Sequence, residues 1–282
     1  LYVLGGFINQ LLEQDKVEEI IICHDGSVIS HAQGKQKVTP KLIAPKDFEI
    51  LVHSTLIQNK KTFNKKIPFI SFYVSSFVKN IRITLIDLSP KSFSEIKMFI
   101  RVFREDKCQL EQLLLGENLN KTIEKLVEIK KNILISGATG SGKTTLLKSL
   151  IQLIPERDHT IVIEDTLEIP SDSCFKTSLS SELTGKTLEE LLSYALRMTP
   201  ERIIIGEIRS SEVISYLLAL NTGHQGSMST IHANSALDAI RRIAFLLNLH
   251  GSFSQINISQ ALELTCQNID FVIHLSDKKI TE

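Results

Sequence analysis

The stretch ISGATGSGKTTLLKSL, residues 135–150, decides the fold class of this chain. An apolar run enters it, a glycine-rich bend follows, and leucines at helical spacing leave it. A strand, a tight turn and a helix in this order form the setting of a phosphate-binding loop. The pattern G-x-x-x-x-G-K-[ST] is filled by Gly137, Gly142, Lys143 and Thr144.

Each residue type in this loop has a chemical reason. Phosphate oxygens need several backbone N–H donors, and only a chain with little side-chain bulk wraps that closely. Lys143 supplies a charge for the β- and γ-phosphates, Thr144 offers a hydroxyl to Mg²⁺, and the helix adds its positive end. The sequence therefore predicts an ATP site made of Gly137, Ala138, Thr139, Gly140, Ser141, Gly142, Lys143, Thr144 and Thr145.

Length and composition predict a globular protein of about two domains. The chain has 282 residues, of which 43% are hydrophobic and 23% charged. No apolar run reaches the ~18 residues that a membrane-spanning helix needs. Four scattered cysteines without a C-x-x-C pair indicate reduced thiols, as in the cytoplasm, and not a zinc site or a disulfide framework. Because the chain starts at Leu1, we expect the native start to lie upstream.

The charges divide the chain into two halves. Residues 1–104 carry 15 basic and 9 acidic side chains, whereas residues 105–282 carry 17 and 23. We predict an N-terminal α+β domain over 1–104, a linker over 105–120 and an ATPase domain over 121–282. The densest basic cluster is Lys60, Lys61, Lys65 and Lys66. It is interpreted either as a solvated loop or as a contact for anionic lipid or nucleic acid.

In the N-terminal half, local patterns predict one helix and several strands. FINQLLEQDKVEEI (7–20) has helical spacing, and EEIIICHDG (18–26) is typical of a strand that runs into a turn at Asp25-Gly26. VSSFVKNIRITLIDLS (74–89) and EIKMFIRVF (95–103) have the alternation of strands. The isolated His24, His31 and His53 are interpreted as structural or exposed.

From residue 119 onward, helical and strand patterns alternate. After an amphipathic helix, LNKTIEKLVEIKK, the predicted strands are NILIS, TIVIED, RIIIGEI, GSMSTIHA and IDFVIHL. The predicted helices between them cover 143–154, 188–198, 210–221, 236–250 and 256–267. Apolar strands separated by helices predict an α/β fold with a largely parallel sheet covered on both faces. Ligands bind at the carboxyl ends of such strands, where we expect the polar residues described next.

Acidic residues follow the predicted strand TIVIED. Glu164 and Asp165 end this strand, and Glu168 follows closely. Carboxylates beside a triphosphate are explained if they hold Mg²⁺ through water or orient the attacking water. Glu164 and Asp165 are therefore predicted, with Thr144, to hold Mg²⁺, and Glu164 and Glu168 to be catalytic. The alternative is an acidic transition from strand to loop.

RIIIGEIRS is typical of a Walker B strand, and a carboxylate at its end, Glu207, aligns or deprotonates the attacking water. Arg209 and Arg197 flank this carboxylate along the sequence. Either one stabilises the developing negative charge, in this subunit or in a neighbouring one, or forms a structural salt bridge. In GHQGSMSTIHA, His232 is predicted to sense the γ-phosphate, and His224 accompanies it. A metal site is not indicated, because the spacing offers no third ligand.

These four boxes together resemble the secretion (traffic) ATPase superfamily of type II secretion, type IV secretion and type IV pilus machines. GATGSGKTT is similar to its Walker A box, IEDTLEI to its Asp box, IIIGEIRSSE to its Walker B box and TGHQGSMSTIHAN to its His box. The resemblance implies a RecA-like P-loop domain with a smaller N-terminal α+β domain, and nucleotide between them. It also implies a homohexamer, peripheral at the cytoplasmic face of the inner membrane, with secretion or pilus components as partners.

Within this superfamily, the chain is most similar to the ATPase of type IV secretion and conjugation. It lacks a tetracysteine motif, which argues against the type II secretion and pilus-assembly branch. That resemblance implies that two N-terminal arginines reach the nucleotide, and NIRITLI and MFIRVF supply Arg82 and Arg101. Asn80-Ile81 stand where a glycine usually precedes the first arginine, and no Ser/Lys-rich segment follows Arg101.

Several functions remain open at this point. The first is a motor in which ATP hydrolysis opens and closes the two domains. A pilus extension or retraction ATPase, a small-molecule kinase and a nucleotide-regulated scaffold are alternatives. The kinase would need an arginine-rich lid, and three glutamates argue against a scaffold with an inactive site. Direct binding of nucleic acid, as by a helicase, is not indicated, because no basic stretch is interleaved with aromatic residues.

Overall fold

The computed structural model divides the chain into two compact units, Leu1–Asp106 and Lys107–Glu282, which are called here the first and the second unit. It describes residues 10, 12–13, 17–32, 35–64, 66–75, 80–87, 95–103, 117–169, 175–250 and 257–282. Of the predicted linker, 105–116 lie outside the described residues, and 117–120 form the first turn of a helix. Within the described part, no helix combines the length and the apolar character that crossing a bilayer requires.

The first unit is an antiparallel sheet with one long helix. Its elements are β1 (Val17–Cys23), β2 (Val28–Ala32), β3 (Lys35–Thr39), α1 (Pro45–Gln58), β4 (Phe69–Ser75), β5 (Asn80–Asp87) and β6 (Ile96–Phe103). The strand order is β3-β2-β1-β6-β5-β4. Alternate residues of the central strands are buried, as in Ile81, Ile83 and Leu85 of β5. One face of the sheet therefore forms the core of this unit, and the polar residues lie on the other face.

Helix α1 packs its apolar side into this core. It starts after Ala44 with Pro45 in its first turn, where the fixed φ of proline fits and its missing N–H costs nothing. Phe48, Leu51 and Val52 are buried at the spacing of one helix face, in the same cluster as the strand residues. The sequence patterns did not predict this helix. Ile50 and Ile57 lie on its exposed side, with 64% and 75% of their surface accessible, and they obscure the helical period.

The prediction of a helix over 7–20 is wrong in its second part. Val17–Cys23 is strand β1, in which Ile20 and Ile22 point into the core. Residues 10, 12 and 13 are helical, and the other residues between 7 and 16 lie outside the described part. The strand and turn predicted over 18–26 are confirmed, with Gly26 at a φ of 81°. The strand predicted over 95–103 is confirmed by β6. The strand predicted over 74–89 is confirmed for β5 but wrong at its start, because Val74 and Ser75 end β4, which pairs with β5; residues 76–79 and 88–89 lie outside the described residues.

The second unit is a three-layer α/β structure. Its helices are α2 (Glu117–Glu128), α3 (Lys143–Gln152), α4 (Ser181–Thr184), α5 (Leu188–Ala195), α6 (Glu212–Asn221), α7 (Ala236–His250) and α8 (Ile258–Asn268). Its strands are β7 (Ile133–Gly137), β8 (Thr160–Glu164), β9 (Lys176–Ser180), β10 (Arg202–Ile205), β11 (Met228–His232), β12 (Phe271–Ser276) and β13 (Lys279–Ile280). The strand order is β13-β12-β7-β11-β10-β8-β9, and only β13 runs antiparallel to its neighbour.

Both faces of this sheet are covered, as the sequence predicted. Ile203 and Ile205 of β10 pack with α5 and α6 on one face, and Ile204 packs with α2 and α3 on the other. The five predicted strands and the six helices predicted from residue 119 onward are confirmed, with ends that differ by up to three residues. Strands β9 and β13 were not predicted, because KTSLS and KI have too few apolar residues to indicate a buried strand. The carboxyl ends of β7, β8, β10 and β11 therefore lie at one edge of the sheet.

Candidate nucleotide-binding site

The glycine-rich loop at the end of β7 has a backbone that other residues would not tolerate. Gly137 has a φ of 151°, and a Cβ at this position would lie 2.4 Å from the carbonyl oxygen of Leu275 and 2.5 Å from Ser141 Oγ. Gly142 has a φ of 97° and directly precedes α3. Both conformations favour glycine, so the loop turns tightly into the helix. The strand–loop–helix setting predicted from the sequence is therefore present.

The N-terminus of α3 is open toward this loop. Gly142 is the N-cap residue, and no side chain caps the helix there. The first N–H groups of an α-helix lack intrahelical acceptors and carry the positive end of its dipole. Ser141 Oγ is buried and has no hydrogen-bond partner within the part of the chain that the structure describes. This end of α3 is therefore suited to bind an anion such as phosphate.

The side chain of Lys143 lies inside the loop. Only 7% of the residue is exposed, and Nζ donates to the carbonyl oxygens of Gly137 at 3.0 Å and Ala138 at 2.8 Å. A third contact joins Nζ to Nδ1 of His232 at 3.3 Å. Burial lowers the pKa of Lys143, while the charge of Glu207 opposes this effect. The lysine thus closes the loop and must exchange these acceptors to bind a phosphate.

His232 connects the lysine with the acidic side of the site. Its Nε2 lies 3.0 Å from Oε1 of Glu207, and its Nδ1 faces Lys143. A neutral ring that donates through Nε2 and accepts through Nδ1 satisfies both contacts. Burial lowers the pKa of His232, and the neighbouring Glu207 carboxylate opposes the change. The predicted residue of the His box is therefore in contact with both Lys143 and Glu207.

Arg209 holds the other side of the Glu207 carboxylate. Its Nη2 lies 2.7 Å from Oε2 of Glu207, and its Nη1 lies 2.8 Å from Oδ2 of Asp165. Burial disfavours the charged carboxylate of Glu207, but the Arg209 hydrogen bond and the surrounding positive charges outweigh burial, and the pKa of Glu207 is lowered. Glu207 is therefore ionised at neutral pH. Arg209 also joins the ends of β8 and β10, because Asp165 follows one strand and Glu207 the other.

Glu164, in contrast, is placed as a structural residue. It is 4% exposed, and its carboxyl oxygens accept the backbone N–H groups of Glu168 and Ile169, each at 3.2 Å. Burial raises the pKa of Glu164 to about 8. A buried carboxyl group that is protonated at neutral pH is a poor ligand for Mg²⁺ and a poor base. This geometry favours a structural role for Glu164 in the loop after β8 over the predicted metal or catalytic role. Glu168 lies in the same loop and is half-buried.

We expect Glu164 to make the folded state less stable as the pH rises. In the unfolded chain its pKa returns to about 4.5, so between this value and about 8 the folded state binds a proton that the unfolded state lacks. Stability should thus fall through this window, by on the order of 2–4 kcal/mol. Glu164→Gln keeps the shape and removes the ionisation. Urea unfolding midpoints from pH 5 to 9 should fall less in the variant than in the parent protein, and parallel profiles would contradict the assignment.

Two residues considered from the sequence do not lie at this edge. His224 precedes β11, and its Nδ1 is 3.0 Å from the carbonyl oxygen of Pro200, which precedes β10. The expectation that both histidines lie at the carboxyl ends of the strands is therefore wrong for His224. Arg197 is exposed in the connection from α5 to β10, also on the amino side of the sheet. Because a helix returns the chain to the opposite edge, proximity in sequence to Glu207 did not bring Arg197 to the site.

Sequence patterns also missed two polar residues that shape the site. Glu212, in the first turn of α6, is buried, and its Oε1 accepts the N–H groups of Arg209 and, at 2.8 Å, Ser210. Thr230 of β11 hydrogen-bonds the loop that carries Glu207. An acidic residue at a helix start is a recognisable capping signal that could have indicated Glu212. Nothing in the sequence marks Thr230, because its partner lies on another strand.

The residues present fit Mg²⁺ in part. Thr144 is half-buried in the first turn of α3, and Asp165 is half-exposed with one oxygen bound to Arg209. Within the described ranges, no group of three or more His, Cys, Asp or Glu side chains forms a metal site. Mg²⁺ in nucleotide sites takes one or two protein oxygens and completes its octahedron with phosphates and water. Thr144, with Asp165 through water, satisfies this requirement, whereas Glu164 does not.

The fold and this edge of the sheet define a P-loop protein with a RecA-like α/β domain and an additional α+β unit. Residues 19–272 match the family described as "Type II/IV secretion system protein", and the chain belongs to this family. The sequence-based resemblance to secretion ATPases is thereby confirmed at the level of the family.

Individual relatives agree with this assignment. The chain is 42% identical over 130 residues to "Type IV secretion system protein VirB11" of Bartonella quintana. The aligned residues cover 44% of this chain and 36% of that protein. It is 30% identical over 247 residues to "Conjugal transfer protein TrbB" of Rhizobium radiobacter, which covers 85% and 75%. The structure "Pilus Retraction Motor PilT and Bound ADP" has a TM-score of 0.71 at 22% identity and covers 95% of this chain and 76% of the other, which shows a shared fold.

Proposed function

We propose that this protein is an ATPase whose hydrolysis cycle drives conformational change in a hexameric motor for macromolecule transport by type IV secretion or conjugation. One observation carries the enzymatic part: the contacts from Lys143 through His232 to Glu207 link the phosphate-binding lysine to an ionised carboxylate at the same sheet edge. The similarity to VirB11 and TrbB proteins supports the transport system. A scaffold that only binds nucleotide would not need this carboxylate.

In this mechanism, ATP replaces the internal partners of Lys143. The β- and γ-phosphates take the place of Gly137, Ala138 and His232 as acceptors of the Lys143 ammonium N–H groups. The N–H groups of the loop and of the first turn of α3 bind the remaining phosphate oxygens. When bound, Mg²⁺ neutralises charge on the β- and γ-phosphates, with Thr144 as its protein ligand.

Glu207 then acts on the attacking water. Its carboxylate aligns the water and accepts its proton as the water oxygen bonds to the γ-phosphorus and the bond from this phosphorus to the β,γ-bridging oxygen breaks, with ADP as the leaving group. Arg209 and His232 hold both carboxylate oxygens of Glu207, so Glu207 is restrained until nucleotide draws Lys143 away from His232. Arg209, once released, is positioned to stabilise negative charge on the transferred phosphoryl group. Nucleotide binding therefore frees Glu207 to align the attacking water.

A phosphate-release assay without any acceptor substrate tests this function. A motor ATPase releases phosphate from ATP alone, whereas a small-molecule kinase requires an acceptor. Sedimentation velocity with a non-hydrolysable ATP analogue tests the proposed homohexamer. Absence of steady-state phosphate release would contradict the ATPase, and a nucleotide-bound monomer would contradict the ring. Inner-membrane secretion components as partners and a peripheral position on the cytoplasmic side of that membrane are parts of the same proposal.

Arg82 and Arg101 are proposed to bind the phosphates of the nucleotide. They lie directly opposite each other on β5 and β6, and Glu19 of β1 lies opposite Arg101 on its other side. Directly paired residues of neighbouring antiparallel strands point to the same face of the sheet, so the two guanidinium groups offer several N–H donors on one face, as a phosphate needs. The resemblance to the ATPase of type IV secretion and conjugation, which implies that two N-terminal arginines reach the nucleotide, supports the same assignment.

Replacing both arginines with alanine should weaken ATP binding about tenfold or more while adenosine binding changes little, because the lost contacts go to phosphate. Isothermal titration with ATP and with adenosine measures the difference. Lys97→Ala is the matched control, since Lys97 lies four residues from Arg101 on the same strand and on the same face of the sheet. Equal losses for both ligands, or an equal effect of the control, would show that the arginines are ordinary surface charges.

A further inference from the structure

Thr230 bonds the loop that carries Glu207 with two groups, its side-chain hydroxyl and its backbone carbonyl oxygen. The residue is 1% exposed within β11. Its Oγ1 donates to the carbonyl oxygen of Gly206 at 2.7 Å, and its own carbonyl oxygen accepts the N–H of Ile208 at 2.8 Å. Gly206 and Ile208 are the two neighbours of Glu207 in the chain. One buried residue therefore holds the peptide groups on both sides of the carboxylate.

These contacts lie beyond the regular pairing of the strands. The β10–β11 ladder pairs Ile204 with Met228 and ends where Ile205 pairs with Ser229. After that point, the chain leaves the sheet toward α6. The N–H of Gly206 still donates to the carbonyl oxygen of Ile163 on β8, the neighbouring strand opposite to β11. On the β11 side, the Thr230 hydroxyl supplies a bond that backbone pairing no longer provides. Only the hydroxyl depends on residue type, because any residue at this position would accept from Ile208.

Thr230 also lies two residues before His232 on the same strand. Side chains at this spacing point to the same face of the sheet. His232 Nε2 contacts Oε1 of Glu207 at 3.0 Å, so β11 holds both the backbone and the carboxylate of Glu207. A displacement of β11 at its carboxyl end would move both contacts together.

We propose that Thr230 is a positioning residue for the hydrolytic step, in which its hydroxyl fixes Glu207 relative to the γ-phosphate. This inference rests on the proposed ATPase function. It assigns no direct contact with substrate to Thr230. A misplacement of about 1 Å in a catalytic group costs about 10²-fold in rate, so the hydroxyl matters for turnover more than for binding.

Three variants separate positioning from core packing. Thr230→Val keeps the shape and removes the donor, and Thr230→Ser keeps the donor. Thr265→Val is the matched control, because Thr265 is also fully buried and its Oγ1 also bonds a carbonyl oxygen, Ala261, at 2.7 Å, but within α8. We expect Thr230→Val to lower kcat about 10- to 100-fold while affinity for a non-hydrolysable ATP analogue changes less than about threefold. Thr230→Ser and Thr265→Val should keep kcat within about threefold.

A double variant tests whether Thr230 acts through Glu207. In the Glu207→Gln background, Thr230→Val should cause less than about a threefold further loss in kcat, because its target is already removed. A full multiplicative loss, a loss of analogue affinity equal to the loss in kcat, or a loss in kcat for Thr265→Val equal to that for Thr230→Val would overturn the proposal.

Hydrogen exchange distinguishes a failure of this proposal from a failure of the ATPase function. The amides of Gly206 and Ile208, which donate to Ile163 and Thr230, should exchange faster in Thr230→Val than in the parent protein, and serine should restore the slow exchange. This readout does not depend on turnover. If the parent protein releases no phosphate but exchange changes as expected, the ATPase function is wrong and Thr230 still holds the loop. Unchanged exchange in Thr230→Val would overturn the role of Thr230 itself.

Discussion

Lys143→Ala should lower kcat/KM for ATP by on the order of 10³-fold or more, with little effect on folding. The side chain supplies a buried charge that contacts two carbonyl oxygens of the phosphate-binding loop and the ring nitrogen of His232 at the end of β11. In the low-dielectric interior of this loop, no water molecule replaces the charge at the β- and γ-phosphates. The loss should affect nucleotide binding and turnover together. Phosphate release and binding of a fluorescent ATP analogue measure the two effects.

Lys148→Ala is the control for the loss of a lysine from the same helix. Lys148 is half-buried in α3, whereas Lys143 is buried; it follows the first turn of the helix and is one of the charges near Glu164. The control should bind and hydrolyse ATP nearly as the parent protein does. Thermal unfolding of both variants checks that the fold is retained. Normal phosphate release from Lys143→Ala would mean that the P-loop is not the hydrolytic site.

Glu207→Gln should separate binding from hydrolysis. The amide has nearly the same shape but accepts no proton and aligns water less well, so we expect a loss in kcat of about 10²- to 10⁴-fold. Binding of a non-hydrolysable ATP analogue should stay near that of the parent protein, because the contacts of Glu207 are with Arg209 and His232 and not with the phosphate-binding loop. Single-turnover hydrolysis measures the chemical step directly.

Glu168→Gln tests the competing assignment. Glu168 is half-buried in the loop after β8, and its charge lies near Arg209. The variant should retain most of the activity if Glu207 is the base. If Glu207→Gln hydrolyses ATP normally and Glu168→Gln does not, the base belongs to the Asp box.

Much of the second unit was predictable because its signals are local. Buried strands such as TIVIE are continuous apolar runs, and the helices between them keep one apolar face. The first unit was less predictable. Its sheet has one exposed face, so β2 and β3 carry few apolar residues, and α1 carries isoleucines on its exposed side. In both cases the pattern reflects burial by distant parts of the chain, which a local window does not contain.

The candidate site likewise has residues that the sequence identified and residues whose roles only the structure shows. Gly137 and Lys143 were identified from spacing alone, because a phosphate-binding loop is contiguous and each residue contacts the ligand through its own local geometry. The roles of Glu164 and Glu207 could not be separated by spacing, since both end a buried strand. Burial and two backbone N–H donors make Glu164 a structural group, whereas Arg209 and His232 keep Glu207 ionised at the edge of the site.

The sequence by itself determined the P-loop, the parallel sheet and the edge at which polar residues collect, because these depend on contiguous motifs and on periodic burial. Only the tertiary structure decided which of those residues meet. The contact of His232 with Lys143 joins residues that are 89 positions apart in the chain, and the hydrogen bond of Thr230 to Gly206 joins residues that are 24 positions apart. Such contacts depend on strand order and register, and these are set by the packing of whole layers rather than by any local stretch of the chain.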